Sequence, residues 1–506
     1  MDSGHGNLAR RWTSAWITTL GIASLVAPTT AWTKPPALHP SPAAADADDD
    51  ASEVAGTSLP HSRDKASDLR AIFKAVPGKI RAGGLVVDLA TGATLFEDNA
   101  DGVLTPASVA KLFATAAAVR TLDLDKKPTT VVRAVGKGSE PAALVLVGAA
   151  DPTMTLSEWT KLAQAVKKAG IVRTKKLIID TSLMDDQLPK GFDQKPTDAA
   201  FRAPIGALMV DASTLQVTLR PGKVGAPPLV EVTPDAGDAV VVLNLAKTVA
   251  GKRDAPVVLT RPNGRKTEVV IQGTIAVSRK IVGSGRRRVA DASYFAGHVF
   301  KRLLQAQGIE VTSGPEFVTA GKDVGGEPIA SHLHHDWRAV LHVTNKQSHN
   351  QFAETLFKLV GVHQLGAPGT NQKAFDGVRK ALAPLQLQWQ GTQIYNGSGL
   401  YRADTVTCRT TVALLRAMTK DPKFADFKAS LAIGGVDGTV RGRLKGPETL
   451  GKVFAKTGTL DDVSGLAGYA EGNGTTYAFA LFFNDIKGPA PYRSVQDRLL
   501  RRLLQP

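Results

Sequence analysis

Helix-type spacing of apolar residues occupies both ends of this 506-residue chain, and a long stretch of short, Gly- and Pro-punctuated β-type runs lies between them. Near the start, residues 69–76 have helical spacing, while residues 84–88 and 93–96 read as strands joined by a tight turn at Thr91-Gly92. Residues 105–118 (TPASVAKLFATAAA) predict a helix: Thr105 suits the N-cap, Pro106 the first helical position, and the Ala-rich continuation favours helix. In the middle, residues 176–179, 216–219, 240–244, 257–260 and 268–272 predict strands of a mostly β region. Helical spacing returns at 350–360 and 405–418. Three successive strands follow at 453–459, 465–470 and 477–483, and residues 495–504 predict a basic amphipathic helix. Helices first and last around a β-meander predict an α+β core interrupted by an inserted module. No internal repeat is evident.

The N-terminus points to export. Arg10 and Arg11 precede an apolar run at residues 15–27 and a small-residue exit near Ala31, the layout of a secretory signal peptide over residues 1–31. The run is short of the roughly 20 apolar residues that a membrane span needs. Residues 32–66, rich in Pro, Ala and Asp, predict a flexible tether, with ordered structure from about Ser67. A single cysteine, Cys408, excludes an intramolecular disulfide framework and any multi-cysteine metal centre. The formal charge of +16 suggests a polyanionic neighbour. Export disfavours nucleic acid as that neighbour, and the scattered tryptophans suggest no stacking surface. Half of the excess sits in residues 252–288, where ten Lys and Arg face two acids.

Three short motifs carry the chemistry: Ser108-Val-Ala-Lys111, Ser348-His-Asn350 and Lys456-Thr-Gly458. This trio, in this order, marks class A β-lactamases and penicillin-binding proteins. A serine nucleophile needs a base within reach, and spacing i, i+3 on one helix sets Lys111 beside Ser108. The first turn of that helix offers unpaired N–H groups to a developing oxyanion. A second SxxK match, Ser62 to Lys65, lies in the tether without either feature. Lys456 and the hydroxyls of Thr457 and Thr459 lie on an expected strand, where they could meet a carboxylate.

With these residues in place, the chain resembles the penicillin-recognising serine peptidases, specifically the D-alanyl-D-alanine carboxypeptidase/endopeptidases of the penicillin-binding protein four type. The resemblance extends from about Gly84 to Leu503 and also rests on LTPASVAK (104–111), GAADP (148–152), APIGAL (203–208), PGKVGAPP (221–228), GSGL (397–400) and GGVDGT (434–439). The 236 residues between Lys111 and Ser348 fit the family's large insertion. It implies a β-lactamase/transpeptidase-like α+β domain, an antiparallel sheet flanked by helices, formed by residues 67–155 and 331–506. The mostly β insertion would occupy 156–330. It further implies acylation of Ser108 by the penultimate D-Ala carbonyl of peptidoglycan stem peptides, with Lys111 as general base. Ser348 would relay a proton to the leaving amine, Asn350 would hold the acyl side chain's amide, and Lys456 would supply positive potential. Thr457 and Thr459 would bind the terminal carboxylate beside Gly458, with the N–H groups of Ser108 and Thr459 as oxyanion hole. β-Lactams would acylate Ser108 as substrate mimics, and no metal or organic cofactor is implied. The site of action would be the periplasm or cell envelope, with or without loose membrane association, and the basic insert would meet polyanionic wall or membrane.

The sequence departs from the family pattern at His349, where Asp is common, and at Asn396 before the GSG run, again in place of Asp. Five histidines between 332 and 349, including His332, His334 and His335, lack the spacing of a helical metal site. Cys408 reads as a packed thiol. Two other readings remain open on sequence alone: a β-lactamase-like serine hydrolase, and a catalytically weak wall-binding protein. The retention of Ser108, Lys111 and Lys456 speaks against the second.

Overall fold

The computed structural model describes residues 64–189, 191–192, 197–252, 255–319 and 324–506, all within the compact unit Leu38–Pro506. The expected signal peptide and tether lie outside the described residues. The main sheet has six antiparallel strands in the order Ala432–Ile433, Val453–Leu460, Val463–Gly472, Thr475–Asn484, Arg81–Asp88, Thr94–Asp98. Strands from the two ends of the chain therefore meet at its centre, and neither end can build the sheet alone.

Both faces of that sheet are buried, which is why its central strands read as nearly unbroken apolar runs. Val463–Gly472 is buried along eight successive residues. On one face, Leu69 and Phe73 of the helix Lys65–Lys74 and Leu499 and Leu503 of the helix Ala490–Leu504 cover Val86, Phe479, Leu481 and Phe483. On the other, the alternate residues Ala478, Ala480 and Phe482 pack into the core that holds Phe113 and Ala117. The helix Lys111–Thr121 is buried all round, from Lys111 to Val119, packed by the helices Asn350–Leu365 and Asn371–Leu382. Its alanines permit that close approach.

The middle of the chain has its own core. A mixed five-stranded sheet runs Pro315–Val318, Lys176–Asp180, Ala143–Val147, Thr129–Val135, Glu327–Leu333. Two helices, Leu156–Lys168 and Ala292–Ala306, pack on one another through Trp159 and Phe300, ring centroids 5.7 Å apart. Smaller sheets are formed by 214–220, 229–233 and 282–288, and by 240–244, 247–249, 255–263 and 266–276. Residues 129–147, which the sequence grouped with the catalytic portion, thus hydrogen-bond into the sheet of the middle region. Strand pairing sets that limit, and it is non-local. We propose that the insertion begins near Thr129.

Thr105 does not cap a helix. Its backbone N–H donates to Asn484 Oδ1 at 2.7 Å, and Asn484 Nδ2 donates to its carbonyl at 3.1 Å. The buried amide at the end of a central strand thus replaces a strand partner for the segment entering Ser108. Asn484→Ala should cost about 1–3 kcal/mol, because it leaves a partly buried N–H and C=O without partners. A urea titration with an unshifted midpoint would show that this clamp is dispensable.

Candidate active site

Ser108 sits on a short 3-10 turn, Ala107–Ala110, that precedes the α-helix beginning at Lys111, and neither segment has a side-chain N-cap. The sequence had expected one continuous capped helix. Ala107 adopts φ +47°, a left-handed conformation that is costly for a residue with a Cβ. The turn is wedged between two other motifs. A Cβ on Gly458 would stand 2.4 Å from the Pro106 carbonyl oxygen, and one on Gly399 (φ +70°) would stand 1.8 Å from that of Ala107. These two glycines let the Lys456 strand and the 396–400 loop press against the backbone carrying the serine.

Lys111 is completely buried. Its Nζ lies 2.9 Å from Ser108 Oγ, 2.8 Å from Asn350 Oδ1 and 2.6 Å from the Ser398 carbonyl oxygen. Desolvation lowers its pKa to about 7, against the opposing pull of Glu354 and Asp404. In the neutral amine two N–H groups serve the two fixed acceptors, Asn350 and Ser398. The lone pair then faces the Ser108 hydroxyl, so that the O–H donates to it. Geometry and proton affinity both suit a general base.

The other two motifs complete the cleft. Ser348 has φ +56° and its Oγ accepts from Lys456 Nζ at 2.8 Å. Lys456 is fully buried and held below the usual ammonium range by desolvation and by the neighbouring Lys111. Thr457 Oγ1 donates to Thr439 Oγ1 at 2.8 Å, which brings the GGVDGT run to the site. Exposed Thr459 receives a hydrogen bond from Arg493 at 3.3 Å. Asn350 Nδ2 donates to the Phe201 carbonyl at 3.0 Å, and Gln351 Nε2 donates to that of Ala200 at 2.8 Å, so a loop from the insertion is tied to the second motif.

Sequence reasoning missed the carboxylates beneath the site. Glu354, one turn after Asn350, accepts from the N–H groups of Gly397 (3.0 Å) and Ser398 (2.9 Å). Asp404 Oδ1 accepts from the N–H groups of Tyr395 (2.8 Å) and Asn396 (3.1 Å) and from Asn396 Nδ2 (2.9 Å). Together they fix the loop whose Ser398 carbonyl meets Lys111. Burial raises the pKa of both acids. The available signal was Glu354 at i+4 from Asn350. Asp404 carried none, because its partners come from the turn geometry.

The departures are explained locally. Asn396 donates to Asp404, which a carboxylate there could not do. His349 is the N-cap of the helix Asn350–Leu365, where Asp would accept an N–H, but its ring makes no capping bond and packs on Phe352 at 4.4 Å. Desolvation and Lys111 lower its pKa to about 3, so it is neutral. Of the other candidates, Lys65 is tied to the carbonyls of Leu503 and Gln505, while Ser62 lies outside the described residues. His332 Nε2 lies 2.6 Å from Glu158, and the His334 and His335 rings meet at a tilt, centroids 3.9 Å apart. Cys408 is buried, which pushes its thiol pKa up.

The chain matches the family model described as the D-Ala-D-Ala carboxypeptidase 3 (S13) family over residues 67–504. It is 32% identical over 487 residues to the D-alanyl-D-alanine carboxypeptidase of Actinomadura sp., covering 92% of this chain and 88% of that protein. To the D-alanyl-D-alanine carboxypeptidase DacB of Haemophilus influenzae it is 26% identical over 421 residues, covering 81% and 86%. The crystal structure of penicillin binding protein 4 from H. influenzae has the same fold, with a TM-score of 0.75 at 24% identity over 87% of this chain and 99% of that one.

Because only the neutral amine can take the serine's proton, the rate of Ser108 acylation by a chromogenic acyl donor should rise through about pH 7. The negative charge of Glu354 raises the proton affinity of Lys111. Glu354→Gln keeps an acceptor for the loop and removes that charge, so the ascending limb should move to lower pH. Glu354→Ala, which strands two N–H groups, should slow acylation at every pH by on the order of 10²-fold. A limb that stays in place in Glu354→Gln would reduce Glu354 to a purely structural role.

Proposed function

We propose the following chemistry on the premise that the chain belongs to the D-Ala-D-Ala carboxypeptidase 3 (S13) family and is a serine-type D-Ala-D-Ala carboxypeptidase acting on peptidoglycan stem peptides. Ser108 Oγ attacks the penultimate D-Ala carbonyl while Lys111 Nζ takes its proton. The N–H groups of Ser108 and Thr459 receive the oxyanion. The proton returns to the leaving amine through Ser348, whose hydroxyl accepts from the Lys456 amine. Terminal D-Ala departs, and water then cleaves the Ser108 ester.

Thr457 and Thr459 take the terminal carboxylate beside Gly458, with Arg493 adding positive potential. Lys456, expected from the resemblance to supply that potential, is pushed towards its neutral form by burial and donates to Ser348. Asn350 is engaged at both ends, by Lys111 and by Phe201, yet its amide keeps a second proton and a second lone pair for the substrate's acyl amide. The observation that carries the reading is the unbroken contact of Ser108, Lys111 and Asn350, at 2.9 and 2.8 Å, around an amine with a pKa near 7.

We further infer that cross-linked peptides are cleaved by the same acylation with a larger leaving group, and that β-lactams acylate Ser108. A relative of the same fold has been solved in complex with a β-lactam. These substrates place the enzyme in the cell envelope, reached by export. Among the described residues no helix is long and apolar enough to cross a membrane. We also infer that the basic insertion meets a polyanionic surface. Arg286 and Arg287 are unsuited to that contact, since they are ion-paired with Asp211 (3.3 Å) and Asp198 (3.1 Å).

Fluorescent penicillin should label the purified protein covalently, and Ser108→Ala should abolish labelling. Undiminished labelling of that variant would overturn the assignment of the nucleophile. Mass spectrometry of muropeptide digests should show loss of terminal D-Ala, and products of halved cross-links if the larger leaving group is accepted.

A further inference from the structure

Two connecting segments of the insertion converge on the short strand Lys247–Val249. Gly225 N–H donates to the Thr248 carbonyl and Thr248 N–H to that of Ala226, both at 2.8 Å, which holds the 221–228 turn against the strand. Gly222 N–H adds a bond to Thr248 Oγ1 at 2.9 Å. On the other side, Val277 N–H donates to the Val249 carbonyl at 2.9 Å and Ser278 Oγ to that of Gly251 at 3.2 Å, which brings in the segment after strand 266–276. Residues 221–228, 245–252 and 276–281 are thus one cluster, although the sequence scatters them over sixty positions.

Its composition is one-sided. Lys223, Lys247, Lys252, Arg279 and Lys280 lie in these segments, all exposed, and none of the segments contains an acid. Between the cations stand large apolar side chains turned to solvent: Val224 is 57% exposed, Ile281 49% and Val277 45%. Elsewhere in the insertion Arg286, Arg287 and Arg261 are ion-paired, with Asp211, Asp198 and Glu268. A turn tip that only needed solubility would not expose three branched apolar residues within one basic cluster.

We propose that this cluster docks the enzyme on the surface of an anionic phospholipid bilayer. Val224, Val277 and Ile281 enter the interfacial region, while the lysines neutralise headgroup phosphates. The pairing of apolar tips with an excess of cations selects lipid over a wall polymer, because a hydrated polyanion has no apolar layer to receive those tips. The proposal refines the reading of a basic insertion against a polyanionic surface, and it does not depend on the chemistry at Ser108.

The test is co-sedimentation of the purified full chain with vesicles of phosphatidylcholine alone, with vesicles containing phosphatidylglycerol, and with isolated sacculi. The expected result is binding to the phosphatidylglycerol vesicles and not to phosphatidylcholine alone. Replacing Lys223, Lys247, Lys252 and Lys280 by Gln should weaken that binding by on the order of 10²-fold. Replacing Val224, Val277 and Ile281 by Ser should also weaken it, with Ser108 labelling by fluorescent penicillin unchanged as the measure of an intact fold. Vesicle binding that ignores the serine substitutions would overturn insertion of the apolar tips. Retention on sacculi alone, or no binding to anionic vesicles, would overturn the lipid surface as the partner.

Discussion

An amine sealed away from water is the constraint on which the rest of this molecule depends. Lys111 has no solvent access, so its stability in either protonation state rests on three neighbours, Ser108, Asn350 and the Ser398 carbonyl. Each of these comes from a different part of the chain, and each must be placed to a few tenths of an ångström. The buried helix Lys111–Thr121 supplies the amine, the helix Asn350–Leu365 supplies one acceptor, and a loop fixed by two carboxylates supplies the other. The sheet serves these elements. Its central strands from both ends of the chain give the turn at Ser108 a backing that a local segment could not provide.

The insertion is part of the same arrangement. Its 199–203 loop gives the Phe201 carbonyl to Asn350 and those of Ala200 and Ala203 to Gln351, so the second motif is oriented from outside the catalytic core. Lys358, farther along the same helix, is fully buried and donates to Asp185 and to the Gln187 carbonyl, both of the insertion. A helix fixed on that side by the insertion and on the other by the helix Lys111–Thr121 has little freedom to shift Asn350.

What the sequence revealed follows the range of the interactions involved. Most strands and the helices at 350–360 and 405–418 were legible because they follow periodicity and burial, which are local, whereas Leu156–Lys168 and Ala292–Ala306 were passed over in a region read as mostly β. The main sheet emerged from three successive apolar strands near the C-terminus and two near the start. The trio of motifs was legible because SxxK spacing and a KTG strand carry their geometry with them. Three things were not. The turn at Ser108 looked like a capped helix because Thr-Pro is a strong cap signal, and only the distant amide of Asn484 claims Thr105 instead. The membership of residues 129–147 in the middle region depends on pairing with strands that begin at 176 and 327. The convergence of Glu354 and Asp404 beneath the loop depends on a turn whose shape no pattern announces.

Buried titratable groups form the last link between the fold and the chemistry. Two lysines, Lys111 and Lys456, and two acids, Glu354 and Asp404, share one dry region, and burial pushes each towards its neutral form. Attraction between the signs opposes that push, and repulsion between Lys111 and Lys456 adds to it. The outcome for Lys111 is a pKa near 7, where one proton can be taken and returned at little cost. A fifth ionisable group with a charge of its own would upset this balance. His349 stands in the second motif where an acid is common, but with its pKa near 3 it brings no charge, and its ring is accommodated by Phe352. An Asp at that position could cap its helix, yet it would add a third carboxylate near Lys111 and strengthen its hold on the proton. His349 thus gives up a helix cap and keeps a further charge away from Lys111.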